Sequence, residues 1–172
     1  MELRFTTPHL RSLDLAGTEV LVASLGSDER PPRGVAGLVD WRLAGRISAL
    51  VASGYAKGEL GEVLLVPGKP KLPFDKVLLF GTGPAAAFDE TTFKSVVDLV
   101  LRTLEGLCAR TAVVELPGRH SARIAPERAA DMLLESAGGR QEHDVWTLVE
   151  PPDAQRVIMA HMIQERRRVR QG

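Results

Sequence analysis

The stretch VLLFGTGPAAAFDETTF, residues 77–93, places an apolar run, a glycine-rich turn and the start of a helical pattern next to one another. The apolar run predicts a buried strand, and Asp89 is a residue type preferred at helix N-caps. Backbone amides of a glycine turn that follows a strand can bind an anion. We therefore take Gly81, Thr82 and Gly83 as the candidate ligand-binding residues.

The glycine spacing also fits the dinucleotide pattern G-x-G-x-x-G/A, but the surrounding sequence does not. That fingerprint requires a helix directly after the glycines and an acidic residue about 20 positions on, at the end of the next strand. Here residues 84–88 separate the turn from Asp89, while Asp98 and Glu105 fall inside the predicted helix. The pattern favours a simple turn, with weak binding of a phosphate-containing ligand as the alternative.

The composition is that of an ordinary globular domain and argues against several classes of protein. The chain has 172 residues, 44% of them apolar, and its 22 basic and 22 acidic residues cancel. A neutral chain has no overall field that attracts nucleic acid or a membrane surface. The first residues contain no long apolar run, so we expect no signal peptide, no membrane span and a cytoplasmic location.

Residues that carry chemistry are sparse. Cys108 is the single cysteine, which excludes an intramolecular disulfide, and we expect it to pack as a small apolar residue at the end of a helix. The four histidines form no H-x-x-x-H pair, and the serines form no G-x-S-x-G elbow. We expect no catalytic residue, no metal and no cofactor.

The apolar periodicity predicts a single α/β domain over residues 1–172. The predicted strands are 3–7, 19–25, 62–66, 76–80, 111–116 and 145–149, and the predicted helices are 35–53, 89–107, 126–137 and 153 to about 170. The third and fourth strands are predicted to form a hairpin, and residues 13–17 are predicted to form a turn. Strands and helices alternate through the second half, which predicts a three-layer domain with a mixed central sheet and helices on both faces.

Two features suggest surfaces for protein contacts. Trp41 lies off the apolar stripe of its helix, and we expect it to be half exposed. The last helix ends in the basic run QERRRVRQG, where Arg166, Arg167, Arg168 and Arg170 complement the helix dipole or contact an acidic protein. No aromatic residue interleaves with these arginines, so nucleic acid is an unlikely partner.

Three segments resemble the N-terminal domain of the leucyl aminopeptidases, also called cytosol aminopeptidases. They are GLVDWRLAGRISALVASGYAKGELGEVLLVPG, KVLLFGTGPAAAFDETTFKSVVDLVLRTLEGL and TAVVELPG, and the resemblance covers residues 13–137. Its characteristic phrases are GYAKGE at residues 54–59 and FDE at residues 88–90. The resemblance implies a fold like that of macro domains.

In this family the two-metal peptidase site lies in a second, C-terminal domain, and its phrase Asn-Thr-Asp-Ala-Glu-Gly-Arg does not occur here. The resemblance therefore implies a domain that is not an enzyme. It would self-associate or bind a protein partner, because the family's N-terminal domain is linked to hexamer assembly. Macro domains proper bind ADP-ribose, which makes residues 26–28 and 81–83 alternative ligand loops. A third reading is an excised N-terminal domain of a longer aminopeptidase.

Overall fold

The computed structural model describes residues 1–171, with side chains up to Val169, and contains one six-stranded sheet. The strands are β1 (Glu2–Thr6), β2 (Val20–Gly26), β3 (Val63–Pro67), β4 (Lys76–Gly83), β5 (Thr111–Val114) and β6 (Val145–Val149). The helices are α1 (Leu10–Leu15), α2 (Gly34–Arg42), α3 (Arg46–Ala52), α4 (Glu90–Gly106), α5 (Pro126–Ala137) and α6 (Pro152–Gln171).

The sheet is mixed, as predicted. Its order is β1-β6-β5-β2-β4-β3, and every neighbouring pair is parallel except β3 and β4. The antiparallel pair aligns Leu65 with Leu78 and confirms the predicted hairpin. Every residue of β2 is buried because this strand lies inside the sheet with helices over both faces.

Alternate residues of β2 divide the core into two layers. Val20 and Val22 pack in a cluster with α4 and α5, whereas Leu21, Ala23 and Leu25 pack in a second cluster with α1, α2 and α3. This division follows from the two-residue period of a strand, whose successive side chains point to opposite faces. Helices therefore cover both faces of the sheet, which confirms the three-layer fold class.

The predicted helix over residues 35–53 is wrong in one respect, since the structure has two helices there. Ala44 and Gly45 adopt positive φ angles of 55° and 81° between α2 and α3. The Asp40 carboxylate accepts a hydrogen bond from the Ser48 amide at 2.8 Å, which satisfies a free donor in the first turn of α3. The apolar pattern crosses this break because both helices face the same core layer.

Two further local predictions are wrong. Residues 13–15, expected in a turn, belong to α1, where Leu13 is fully buried. Cys108 does not pack as an apolar residue but is exposed, with a φ of 56°. Its amide and those of the flanking Leu107 and Ala109 close the C-terminal turn of α4 through hydrogen bonds to carbonyl oxygens of that helix.

The glycines of the opening motif have different structural roles. β4 continues to Gly83, so Gly81 lies inside the strand and not in the predicted tight turn. A Cβ atom at Gly81 would overlap the carbonyl oxygen of Glu59, because the loop before β3 crosses the strand in direct contact. Gly83 has a φ of 73° and forms the actual turn.

We expect Gly81→Ala to lower the free energy of unfolding by about 2 kcal/mol or more, because the added methyl group has no space against backbone atoms. Gly106→Ala is the matched control, since a Cβ at this position of α4 meets no other atom within 4 Å. The control should gain up to about 1 kcal/mol from the helix propensity of alanine. Urea denaturation of both variants measures the difference, and equal stabilities would contradict the close approach.

Candidate functional site

The carboxyl ends of β2, β4 and β5 meet at a cleft, the usual position of ligand sites in open α/β sheets. Its walls are Gly26, Asp28 and Glu29 after β2, Thr82, Gly83, Ala85 and Phe88 from the end of β4 and its loop, and Gly118, His120, Ser121 and Arg123 after β5. The cavity inside has a volume of about 20 Å³, which is room for about one water molecule.

Two polar contacts tie the loops across the cleft. The Arg123 guanidinium donates to the Ala85 carbonyl at 2.8 Å. The Ala85 amide in turn donates to both carboxylate oxygens of Asp28, at 3.1 and 3.2 Å. The Ala85 amide is therefore already bonded to an anion of the chain itself.

A buried charged cluster lies behind these contacts. The Glu115 carboxylate follows β5 and accepts the amide of Val35 at 2.9 Å, at the N-terminus of α2. His120 Nε2 lies 2.8 Å from Glu29, and His120 Nδ1 lies 3.5 Å from Glu115. The three side chains are 3%, 9% and 15% exposed for Glu115, His120 and Glu29.

The two carboxylates set the charge of the histidine. The Glu115 carboxylate at 3.5 Å and the hydrogen bond with Glu29 at 2.8 Å raise the pKa of His120 to about 10, against the opposing effect of burial. Burial raises the pKa of Glu29, but His120 and Arg33 more than offset this, so that its pKa is lowered. At neutral pH His120 is thus a cation that faces the carboxyl groups of Glu29 and Glu115.

Gly34 leaves the space that this cluster needs. A Cβ atom there would lie 2.7 Å from a carboxylate oxygen of Glu115 and 2.7 Å from the Cβ of His120. Its φ of 58° also favours glycine. The glycine lets α2 begin directly against the buried carboxylate.

The structure brings together the two glycine loops expected from the sequence. Thr82 and Gly83 line the cleft opposite Gly26 and Asp28. However, the amides of Gly81 and Gly83 donate to the carbonyl oxygens of Glu62 and Gly58, each at 2.9 Å. The anion loop remains a prediction, and neither glycine amide is free to support it.

Sequence reasoning missed the residues that fill the cleft. Glu29, Glu115, His120 and Arg123 come from two loops that are far apart in the chain. One signal was available, because Glu115 directly follows the apolar run TAVV, a position where a buried charge requires a partner.

The expected contact residues lie on the surface. Trp41 is 75% exposed at the end of α2, more than the half exposure we expected. Its neighbour Arg42 is held by a bidentate ion pair with Asp14. Arg166, Arg167 and Arg168 are exposed on α6, and Arg168 pairs with Glu165. The side chain of Arg170 lies outside the described residues. Whether any of these residues contacts a partner remains a prediction.

Two kinds of feature are absent from the described part of the chain, residues 1–171. No group of three or more His, Cys, Asp or Glu side chains is arranged to hold a metal ion. No described helix combines the length and the apolar character needed to cross a membrane.

A mixed sheet between helix layers, with a cleft at the carboxyl ends of its central strands, defines a macro-like α/β domain. The profile described as "Cytosol aminopeptidase family, N-terminal domain" matches residues 20–140. The chain therefore belongs to the cytosol aminopeptidase family through its N-terminal domain, which confirms the resemblance of the sequence. It is 32% identical over 124 residues to a probable cytosol aminopeptidase of Pseudomonas aeruginosa, covering 67% of this chain and 25% of that relative.

Solved structures agree with this assignment at the level of the fold. A tomato leucine aminopeptidase variant superposes with a TM-score of 0.62 and 13% identity, over 94% of this chain and 35% of that one. A Trypanosoma brucei macrodomain in complex with ADP superposes with a TM-score of 0.68 and 15% identity, over 94% of this chain and 69% of that one. The Mycobacterium tuberculosis DarG macrodomain superposes with a TM-score of 0.67 and 15% identity, over 87% of this chain and 97% of that one. The chain spans about a quarter of the curated relative above.

The buried cluster should make the protein less stable as the pH rises above neutral. Because the pKa of His120 is raised from 6.5 to about 10, its stabilising charge is complete below pH 6.5 and is lost as the pH rises towards 10. We expect the free energy of unfolding to fall by more than about 1 kcal/mol between about pH 7 and about pH 9.5. The His120→Gln variant should be less stable at pH 7, and its free energy of unfolding should depend much less on pH. If urea titrations at several pH values gave the two proteins the same dependence of the free energy of unfolding on pH, the assignment would be contradicted.

Proposed function

We propose that this chain is a non-catalytic interaction and assembly domain of the cytosol aminopeptidase family. The observation that carries the proposal is the cleft, which the chain fills with its own side chains. Arg123, Asp28 and Glu29 line what remains of the cleft, a cavity of about 20 Å³. We therefore place binding elsewhere on the surface of the domain.

The size of the cleft argues against a nucleotide. Pockets for ligands of that size hold several hundred Å³, whereas this cavity holds about 20 Å³. Asp28 and Glu29 line the cavity together with the cations His120 and Arg123, so its charge does not decide the question. The Trypanosoma brucei macrodomain with ADP shares the fold, but at 15% identity this similarity does not extend to the ligand.

The surface offers residues suited to protein contacts. An exposed tryptophan beside an anchored arginine, as at Trp41 and Arg42, is the composition typical of interaction hot spots. The arginines Arg166, Arg167 and Arg168 suit an acidic protein partner, and the neutral net charge argues against nucleic acid. We place the protein in the cytoplasm, in line with the name of its relatives.

The alternatives come from the relatives. Peptidase activity belongs to the cytosol aminopeptidases, of which this chain covers about a quarter, and it would follow if the chain were part of a longer enzyme. Binding of ADP-ribose or another phosphate ligand would follow if the cleft opened.

We expect titration calorimetry with ADP-ribose, ADP and inorganic phosphate to show no binding at about 1 mM ligand. Arg123→Ala is the control variant, because it removes the contact with Ala85 and leaves the three carboxylates in place. A dissociation constant below about 1 mM for the unchanged chain would contradict the proposal and favour a ligand sensor.

We also expect no cleavage of aminoacyl substrates by the purified chain with added zinc or manganese. Activity that requires the added metal, with a metal-free sample as control, would show that the domain is an enzyme.

A further inference from the structure

The loop between β5 and α5, residues 117–124, forms one wall of the cleft and is closed by its own hydrogen bonds. We call it the cleft loop. The Arg123 amide donates to the Gly118 carbonyl at 2.9 Å. Both residues line the cleft, together with His120 between them. Because the loop is bonded across its own width, a displacement of the loop moves this whole wall of the cleft.

Arg119 fixes the cleft loop from within. Its guanidinium donates to the Ile124 carbonyl at 2.6 Å, which joins the two ends of the loop. The same guanidinium donates to both carboxylate oxygens of Glu150, at 2.7 and 2.9 Å. The side chains of this ion pair are only 7% and 2% exposed. Separating a buried ion pair leaves an uncompensated charge, which is strongly unfavourable, so the position of the loop depends on that of Glu150.

Glu150 lies at the junction of β6 and α6. Its amide donates to the Thr6 carbonyl of β1 at 2.9 Å, and its carbonyl accepts a hydrogen bond from the Gln155 side chain at 2.8 Å. Gln155 belongs to the first turn of α6. The cleft loop therefore holds Glu150 through its carboxylate, while α6 holds the same residue through its carbonyl. This junction connects the cleft to α6.

Among the residues whose side chains are described, α6 packs on the rest of the domain over its first half. Ala154 and Ile158 are buried, and His161 Nε2 lies 2.9 Å from the Asp131 carboxylate of α5. Beyond them, residues 163, 164 and 166–169 are exposed. A helix rises 1.5 Å per residue, so the exposed part extends about 12 Å past His161. A partner that binds this part acts on the position of α6.

We propose that α6 and the cleft loop open and close as one unit, with the ion pair of Arg119 and Glu150 as the contact between them. Proteins open locally in cooperative units. When α6 lifts from α5, Gln155 leaves Glu150, the ion pair loses its alignment, and the cleft loop loosens. A partner that holds α6 in place keeps the cleft closed. The coupling belongs to the single chain, so it goes beyond the proposed assembly function and does not depend on it.

Hydrogen exchange of the full chain, followed by mass spectrometry, tests the coupling. His161→Ala removes the contact of α6 with Asp131 and changes no residue of the cleft loop. We expect the exchange of residues 117–124 to accelerate at least about threefold, together with that of α6, because the two segments open together. Ile158→Ala leaves a gap under the same helix and should accelerate both segments further.

The matched control is Arg168→Ala, which removes only an ion pair with Glu165 on the exposed part of α6. It should leave the exchange of the cleft loop unchanged. A double variant tests the route of the coupling. Glu150→Gln should accelerate the exchange of the loop by itself, and His161→Ala should add nothing to it, because the contact through which it acts is already broken.

Three results overturn the inference. The first is an unchanged exchange of the cleft loop in both His161→Ala and Ile158→Ala. The second is an effect of His161→Ala that persists in full beside Glu150→Gln, because the coupling then runs through another contact. The third is an equal acceleration of β2, because the whole domain then unfolds. The proposed assembly function is tested separately by the mass in solution, which light scattering measures.

Discussion

The shape of the cleft depends on one buried carboxylate. Glu115 follows β5 and binds the first amide of α2, and its other oxygen faces His120, which reaches Glu29. A buried charge is costly unless it is paired, so the start of α2 and the loops after β2 and β5 have to converge on this group. Gly34 completes the arrangement because any side chain there would collide with the carboxylate.

The layers of the fold were predictable because they follow from periodicity. The apolar face of α4, which includes Phe93 and Leu101, and the alternation along β2 each specify which side chains enter the core. The break between α2 and α3 was not predictable in this way. Periodicity reports the side that faces the core, and it does not report that Ala44 takes a positive φ. Gly81 shows the same limit, since the requirement for glycine at this position comes from the carbonyl group of Glu59, a residue of a crossing loop.

The site was less predictable than the fold for a related reason. The sequence identified both glycine loops, and these do meet, but the groups that close the cleft are Arg123, His120 and Glu29. Their relation depends on long-range contacts between segments about 90 positions apart, such as the pair of His120 and Glu29. Fold similarity therefore gives the position of a cleft, whereas its chemistry depends on which side chains enter it.

The two edges of the sheet are limited in different ways. A ligand site at the carboxyl ends of the strands uses loops, while the edges of the sheet use backbone groups that every sequence possesses. Charges on β1 discourage pairing at one edge, as Glu2 and Arg4 illustrate. β3 carries no charge, and at that edge the short strand and its last residue, Pro67, are the features that limit pairing.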